Sequence, residues 1–234
     1  MLLDVLGLLS ACSYALDCVE AELVHVSDKH AKRVAYMSVC MAEQLGISDE
    51  SLQDLAACAL LHDNALTQYI QEELHKDVAN VPQASQVGIH CTLGEKNIQR
   101  LPFHTDVKNV ILYHHENYDG TGYPANLAGE KIPFGARILR ICDVYCALTS
   151  DRPYRSAFTQ EQAMELMAEE VKNFDLKMFL AFQRVIHSGS RKAIELSDVD
   201  ELIQEIIKEK TENGIKEETG YRNERYFTER NGNP

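Results

Sequence analysis

The chain has 234 residues and a formal charge of −13, with 36 acidic residues against 23 basic ones. That balance excludes a protein that grips a nucleic acid polymer through a general basic surface. An anionic small ligand is still admissible where bound cations supply local positive charge. Length and an apolar content of 45% suit one sizeable core with a short appendage.

Helical periodicity runs through nearly the whole chain and predicts an all-α fold. Residues 1–24 read as a first helix with apolar positions at Leu2, Val5, Leu8 and Leu9. A second helix spans about Asp28 to Leu45 and stops at Gly46, a residue type common just past helix C-termini. Ser48 is placed to cap a third, from Glu50 to about His62. Residues 64–88 are weakly patterned, with a break at Val81-Pro82. Two further helices are expected over 89–101 and 105–116, separated by Pro102. The segment 118–133, with Gly120, Gly122, Pro124, Gly129 and Pro133, reads as a structured loop. Helix returns over about 134–149. Thr159 and Gln162 form a capping-box pattern that opens a helix towards Lys172. The last helices run from about Leu176 to His187 and from about Val199 to Lys210. Beyond Thr211 the chain is polar, so the division expected is one helical domain, 1–210, and a tail, 211–234.

The seven cysteines are odd in number and form no C-x-x-C pair, and Cys12, Cys18, Cys40, Cys58, Cys91 and Cys142 mostly lie in apolar helical contexts. That usage suits a reducing compartment. Asp4 and Asp17 interrupt the apolar start, which falls short of a membrane span, and no basic residue precedes it as in a signal peptide. A cytoplasmic chain with no membrane partner is therefore expected. The apolar first helix offers a face for a second copy, a homodimer.

The most informative string is His114-His115-Glu116-Asn117-Tyr118-Asp119-Gly120-Thr121-Gly122-Tyr123-Pro124. Adjacent residues of a helix diverge by about 100°, so two histidines there cannot serve one packed face. A pair of cations explains them better. His30, His62, Asp63, His90, His114, His115 and Asp143 can be assembled into one site. Imidazole with carboxylate suits Fe, Mn or Zn, and the absence of cysteine from the set argues against a structural zinc site. Asp63 has two oxygens with which to bridge two ions, and such a pair lowers the pKa of water held between them. Asp143 lies in an apolar run and needs a partner: a metal, or Arg137 or Arg140. His25, His75, His104 and His187 read as ordinary surface or core histidines.

These residues resemble a known family. The order His30…His62-Asp63…Asp143 is similar to the HD superfamily of metal-dependent phosphohydrolases, and His114 to Pro124 narrows the resemblance to its HD-GYP branch. His30 to Val34, His90 with Gly94, and Ile132-Pro133 through Arg152-Pro153-Tyr154-Arg155 also agree with the family's signatures. The resemblance covers about residues 10–185. It implies an HD-type helical bundle with a long structured loop around Gly122-Tyr123-Pro124. It further implies hydrolysis of cyclic di-GMP to pGpG and/or GMP through two, sometimes three, Fe or Mn ions. Carried over by position, the ligands are the seven residues above, His62 and Asp63 are the catalytic pair, and Tyr123, Arg152 and Arg155 contact substrate. From the residues alone, Arg152 to Arg155 reads equally as a helix-terminating turn tied by its arginines.

Two departures from the family pattern bear on function. Where the family reads H-D-I-G-K, this chain reads His62-Asp63-Asn64-Ala65-Leu66, without the lysine; a charge so placed contributes about 2–4 kcal/mol to a transition state. Lys76 is a candidate substitute. Three-metal members carry a Glu four residues before the first histidine, where this chain has Val26, so two ions are expected. The readings to separate are thus a cyclic di-GMP phosphodiesterase, a weakly active or inactive sensor that binds a cyclic dinucleotide, and a different HD-type nucleotide phosphohydrolase.

Overall fold

A computed structural model describes residues 5–24, 29–47, 49–68 and 88–187. The described residues hold seven complete α-helices and no β-strand: α1 (Val5–Val24), α2 (His30–Gln44), α3 (Asp49–Leu60), α4 (Ile89–Ile98), α5 (Phe134–Leu148), α6 (Gln160–Glu169) and α7 (Leu176–His187), with 3-10 turns at Gly129–Lys131 and Val171–Asn173 and residues 66–68 also helical. The expected segments at Ser48, Lys76, 199–210 and 211–234 lie outside the described residues.

The helices form where the apolar period puts them. In α2, Ala31, Val34, Ala35, Ser38, Val39, Met41 and Ala42 are buried, which is the i, i+3, i+4 stripe of a helix lying on a core. The helix ends because Gly46 takes a φ of +78°, so that Gly46 N–H reaches Glu43 O and Ile47 N–H reaches Ala42 O at 2.9 Å. Helix α5 is buried on most sides, from Phe134 through Cys146, and packs against α2. Its Gly135 admits Val110, whose methyl carbons stand 3.1–3.2 Å from where a Cβ would lie. Helix α7 adds Phe182, whose ring meets Tyr145 edge-on at 5.1 Å. The Thr159 box closes as expected: Gln162 N–H donates to Thr159 Oγ1, and Thr159 N–H donates to Gln162 Oε1.

The expected helix over 105–116 is not present. The chain runs there as successive turns whose hydrogen bonds mostly reach three residues back: Val110 to Val107, His114 to Ile111, Glu116 to Tyr113. Asn109 adopts a φ of +65°, which breaks the helical path. Side chains from other elements take the freed amides. Glu95 of α4 accepts from Asn109 N–H at 2.7 Å and Leu112 N–H at 3.3 Å, and Asp54 of α3 accepts from His104 and Thr105 N–H. Tertiary partners thus override a local helical pattern.

Candidate metal centre

Five separate stretches converge on one point. His30 is the first residue of α2, His62 and Asp63 lie in the turn after α3, His90 opens α4, His114 and His115 end the turn segment, and Asp143 comes from α5. Asp63 is central: Oδ2 stands 3.3 Å from His62 Nε2, while Oδ1 stands 3.5 Å from His90 Nε2 and 3.6 Å from His114 Nε2. Asp143 faces His30 Nε2 at 3.1 Å and His115 Nδ1 at 3.9 Å. The arginines named as its alternative partners turn elsewhere, Arg137 to Asp175 at 2.6 Å and Arg140 to Asn117.

Most of these separations exceed the roughly 2.7–3.2 Å of a good N–H···O bond. They match the spacing of atoms that share a cation rather than each other. The orphaned atoms agree: His62 Nε2, Asp63 Oδ1, His114 Nε2 and His115 Nδ1 are buried without a hydrogen-bond partner. Isolated polar atoms of this kind are costly to bury. Two of the imidazoles are also pre-set as ligands. His62 Nδ1 lies 2.8 Å from Ala59 O and His114 Nδ1 lies 2.6 Å from Ile111 O. A carbonyl only accepts, so Nδ1 carries a proton in each, and Nε2 is the atom turned inward to ligate once it is deprotonated. The donors fall into two groups, His30 with His62 and Asp143, and His90 with Cys91, His114 and His115, so the adjacent histidines share one group instead of dividing between two cations, because the 105–116 segment runs as turns and not as the expected helix. Within each group the ligand atoms lie within 4.8 Å of one another. The residues fit a divalent-cation centre.

The charges are strongly coupled. Burial pushes Asp63 upward, but His62, His114 and His90 outweigh it and hold the carboxyl well below the usual range. Asp143 is likewise held low against its burial, chiefly by His30. Burial opposes the His62 imidazolium, yet Asp63 and then Asp143 push its pKa up to about 10. Burial, with His114 alongside, takes His115 well below its usual value, leaving a neutral ring ready to ligate.

Several supporting side chains were not evident from sequence. Asp17 of α1 accepts from Ala31 N–H at 3.1 Å, capping α2 beside His30, and burial pushes its carboxyl up to about 6. Arg33 ties α2 to the end of α5 through Cys146 O, Thr149 Oγ1 and Ser150 Oγ. Glu116 folds the following loop by accepting from Ala125 and Leu127 N–H at 2.6 and 3.0 Å. A buried acid directly after the paired histidines was the available signal. Gly122 is required by space: a Cβ there would lie 2.2 Å from Asn117 N and 2.5 Å from Glu116 Cα.

Of the residues carried over as substrate contacts, Tyr123 lies at the centre, its ring 4.9 Å from that of His115. Arg152 and Arg155 pair by their backbones after α5. The Arg155 guanidinium donates to the carbonyls of Ala147, Leu148, Ser150 and Ser156 and lies over Phe158. His104 pairs with Asp54, away from the cluster, and His187 ends α7. His25 and His75 lie outside the described residues.

An all-helical bundle that brings His-Asp and His-His pairs onto a buried centre defines a class of metal-dependent phosphohydrolase folds. The HD domain family's sequence profile matches residues 17–178. The chain belongs to the HD domain family. It is 34% identical over 164 residues to a cyclic di-GMP phosphodiesterase of Pseudomonas aeruginosa, covering 67% of this chain and 38% of that protein. It is 36% identical over 152 residues to a cyclic di-GMP phosphodiesterase response regulator of Xanthomonas campestris, covering 62% and 39%. A crystal structure of a cyclic GMP-AMP-specific phosphodiesterase of Vibrio cholerae shares the fold at a TM-score of 0.60 and 18% identity, covering 86% of this chain and 53% of that one. These matches agree with the HD-GYP resemblance of the motifs. The matched region is thus under two-fifths of the length of these two curated relatives.

Proposed function

We propose that this chain is a phosphodiesterase that hydrolyses cyclic di-GMP, to pGpG and/or GMP, with two divalent cations held by His30, His62, Asp63, His90, His114, His115 and Asp143. The observation that carries the reading is Asp63, one oxygen of which faces His62 while the other faces His90 and His114. A carboxylate so placed, between His62 of one donor group and His90 and His114 of the other, supports a bridging role. Bound Fe or Mn would supply Lewis acidity to the phosphodiester oxygens and lower the pKa of water at the centre.

The chain's own residues do the positioning. The carbonyls of Ala59 and Ile111 hold His62 and His114 in the ligating tautomer. Tyr123, beside His115, offers a ring face for a guanine base at the rim. Arg152, half-exposed after α5, is the candidate for the phosphate or the second base. Arg155, with its guanidinium on four backbone carbonyls, acts in this reading by holding the turn that carries Arg152. The test is a substrate panel of cyclic di-GMP, 3′3′-cGAMP and linear pGpG with the Mn- or Fe-loaded chain. Cyclic di-GMP is expected to be opened fastest, and turnover of other phosphoesters alone would refute the assignment.

One observation favours a second reading, a cyclic-dinucleotide sensor with little turnover. Half-buried Leu66 stands where the family pattern has lysine and brings no charge to the phosphate. Tight cyclic di-GMP binding by the loaded chain with no product would select it.

A further inference from the structure

Cys91 differs from the other buried cysteines. Cys40, Cys58, Cys142 and Cys146 belong to the hydrophobic core cluster, where a thiol serves as a small apolar side chain. Cys91 is fully buried yet lies outside that cluster, among imidazoles. Its Sγ stands 3.4 Å from His90 Nε2, and its sulfur lies within 4.8 Å of the ligand nitrogens of His90, His114 and His115. Two of those rings present orphaned buried nitrogens, His114 Nε2 and His115 Nδ1, and His114 is itself wholly buried.

The spacing suits a shared cation. A thiolate about 2.3 Å and an imidazole nitrogen about 2.0–2.1 Å from one tetrahedral ion stand about 3.6 Å apart. We propose that Cys91 is a thiolate ligand of the cation held by His90, His114 and His115, which adds one sulfur to their three nitrogens and the facing Asp63 oxygen. On binding, the S–H bond breaks, the sulfur electron pair goes to the cation and the proton leaves to solvent. A sulfur donor selects Zn²⁺, Fe²⁺ or Co²⁺ over Mn²⁺ at that position, whereas the group of His30, His62 and Asp143 keeps only nitrogen and oxygen. The inference rests on the metal-centre reading above and adds one donor to it.

The experiment is X-ray absorption at the metal edge of the full chain, loaded anaerobically with Zn²⁺ and, separately, with Fe²⁺. The expected result is a sulfur shell at about 2.3 Å beside the nitrogen and oxygen shell, lost in Cys91→Ser. A wild-type spectrum with nitrogen and oxygen neighbours alone overturns the thiolate and leaves the histidine–aspartate centre standing. A sulfur shell that survives in Cys91→Ser also overturns it. Failure of the wild type to bind either ion overturns the centre and the thiolate together. If Cys91→Ser does not fold, the wild-type spectrum decides alone.

Discussion

Asp63 is reached by three imidazoles from three stretches of chain, so its removal separates a metal centre from a mere cluster. In Asp63→Ala, bound metal and turnover are both expected to disappear while the helical circular dichroism stays; full activity in that variant would contradict the assigned role. Protonation gives a second handle. In the metal-free protein His62 holds its proton up to about 10, because Asp63 and Asp143 stabilise the imidazolium against burial. A cation must displace that proton. Metal affinity should therefore rise with pH across the neutral range, by about tenfold per unit for each proton released, and level off near the His62 value. Titration calorimetry in buffers of different ionisation enthalpy reads the proton count directly, and an affinity flat from pH 6 to 9 would refute it. Gly122 tests the loop. A Cβ at that position meets backbone rather than a yielding side chain, so Gly122→Ala should destabilise the protein by about 1–3 kcal/mol and reduce cyclic di-GMP turnover more than metal content.

The helices were legible from sequence wherever an apolar stripe met a cap, a terminator or a flanking proline. Helix α2 with Gly46, α5 across Phe134–Leu148 and the Thr159 box are such elements. The 105–116 segment was not legible as turns, because its hydrogen-bond partners, Glu95 and Asp54, come from other helices and leave no mark on local periodicity. The site shows the same contrast. The pairs His62-Asp63 and His114-His115 stood out in the sequence on their own, and the family resemblance joined His30, His90 and Asp143 to them as candidate donors. Asp17 and Cys91 did not stand out, and Arg33 did so only as a motif position, because their roles depend on what packs beside them. Arg155 belongs to this scale as well: its guanidinium binds the open carbonyls at the end of α5, including Ala147 and Leu148. Arg155→Ala is expected to lower stability by about 1–3 kcal/mol through those charge-assisted bonds, seen as a fall in the denaturant midpoint. A variant of unchanged stability with a raised KM would instead make Arg155 a substrate contact.

At the scale of the whole molecule, α2, α3, α5 and α7 share one hydrophobic core, and each of the seven clustered histidines and aspartates sits at an end or on an inner face of the elements around it. No helix among the described residues is long and apolar enough to cross a membrane. The net charge of −13 makes the surface unwelcoming to a nucleotide dianion, so bound cations must supply the attraction. Activity and metal should therefore rise and fall together. The most direct measurement is to load the chain anaerobically with Fe or Mn, count ions per chain, and follow cyclic di-GMP in the same sample before and after chelation. About two ions per chain are expected, with linear product from the loaded protein and none from the stripped one. Turnover that survives complete removal of metal, or a chain that takes up no metal at all, would contradict it.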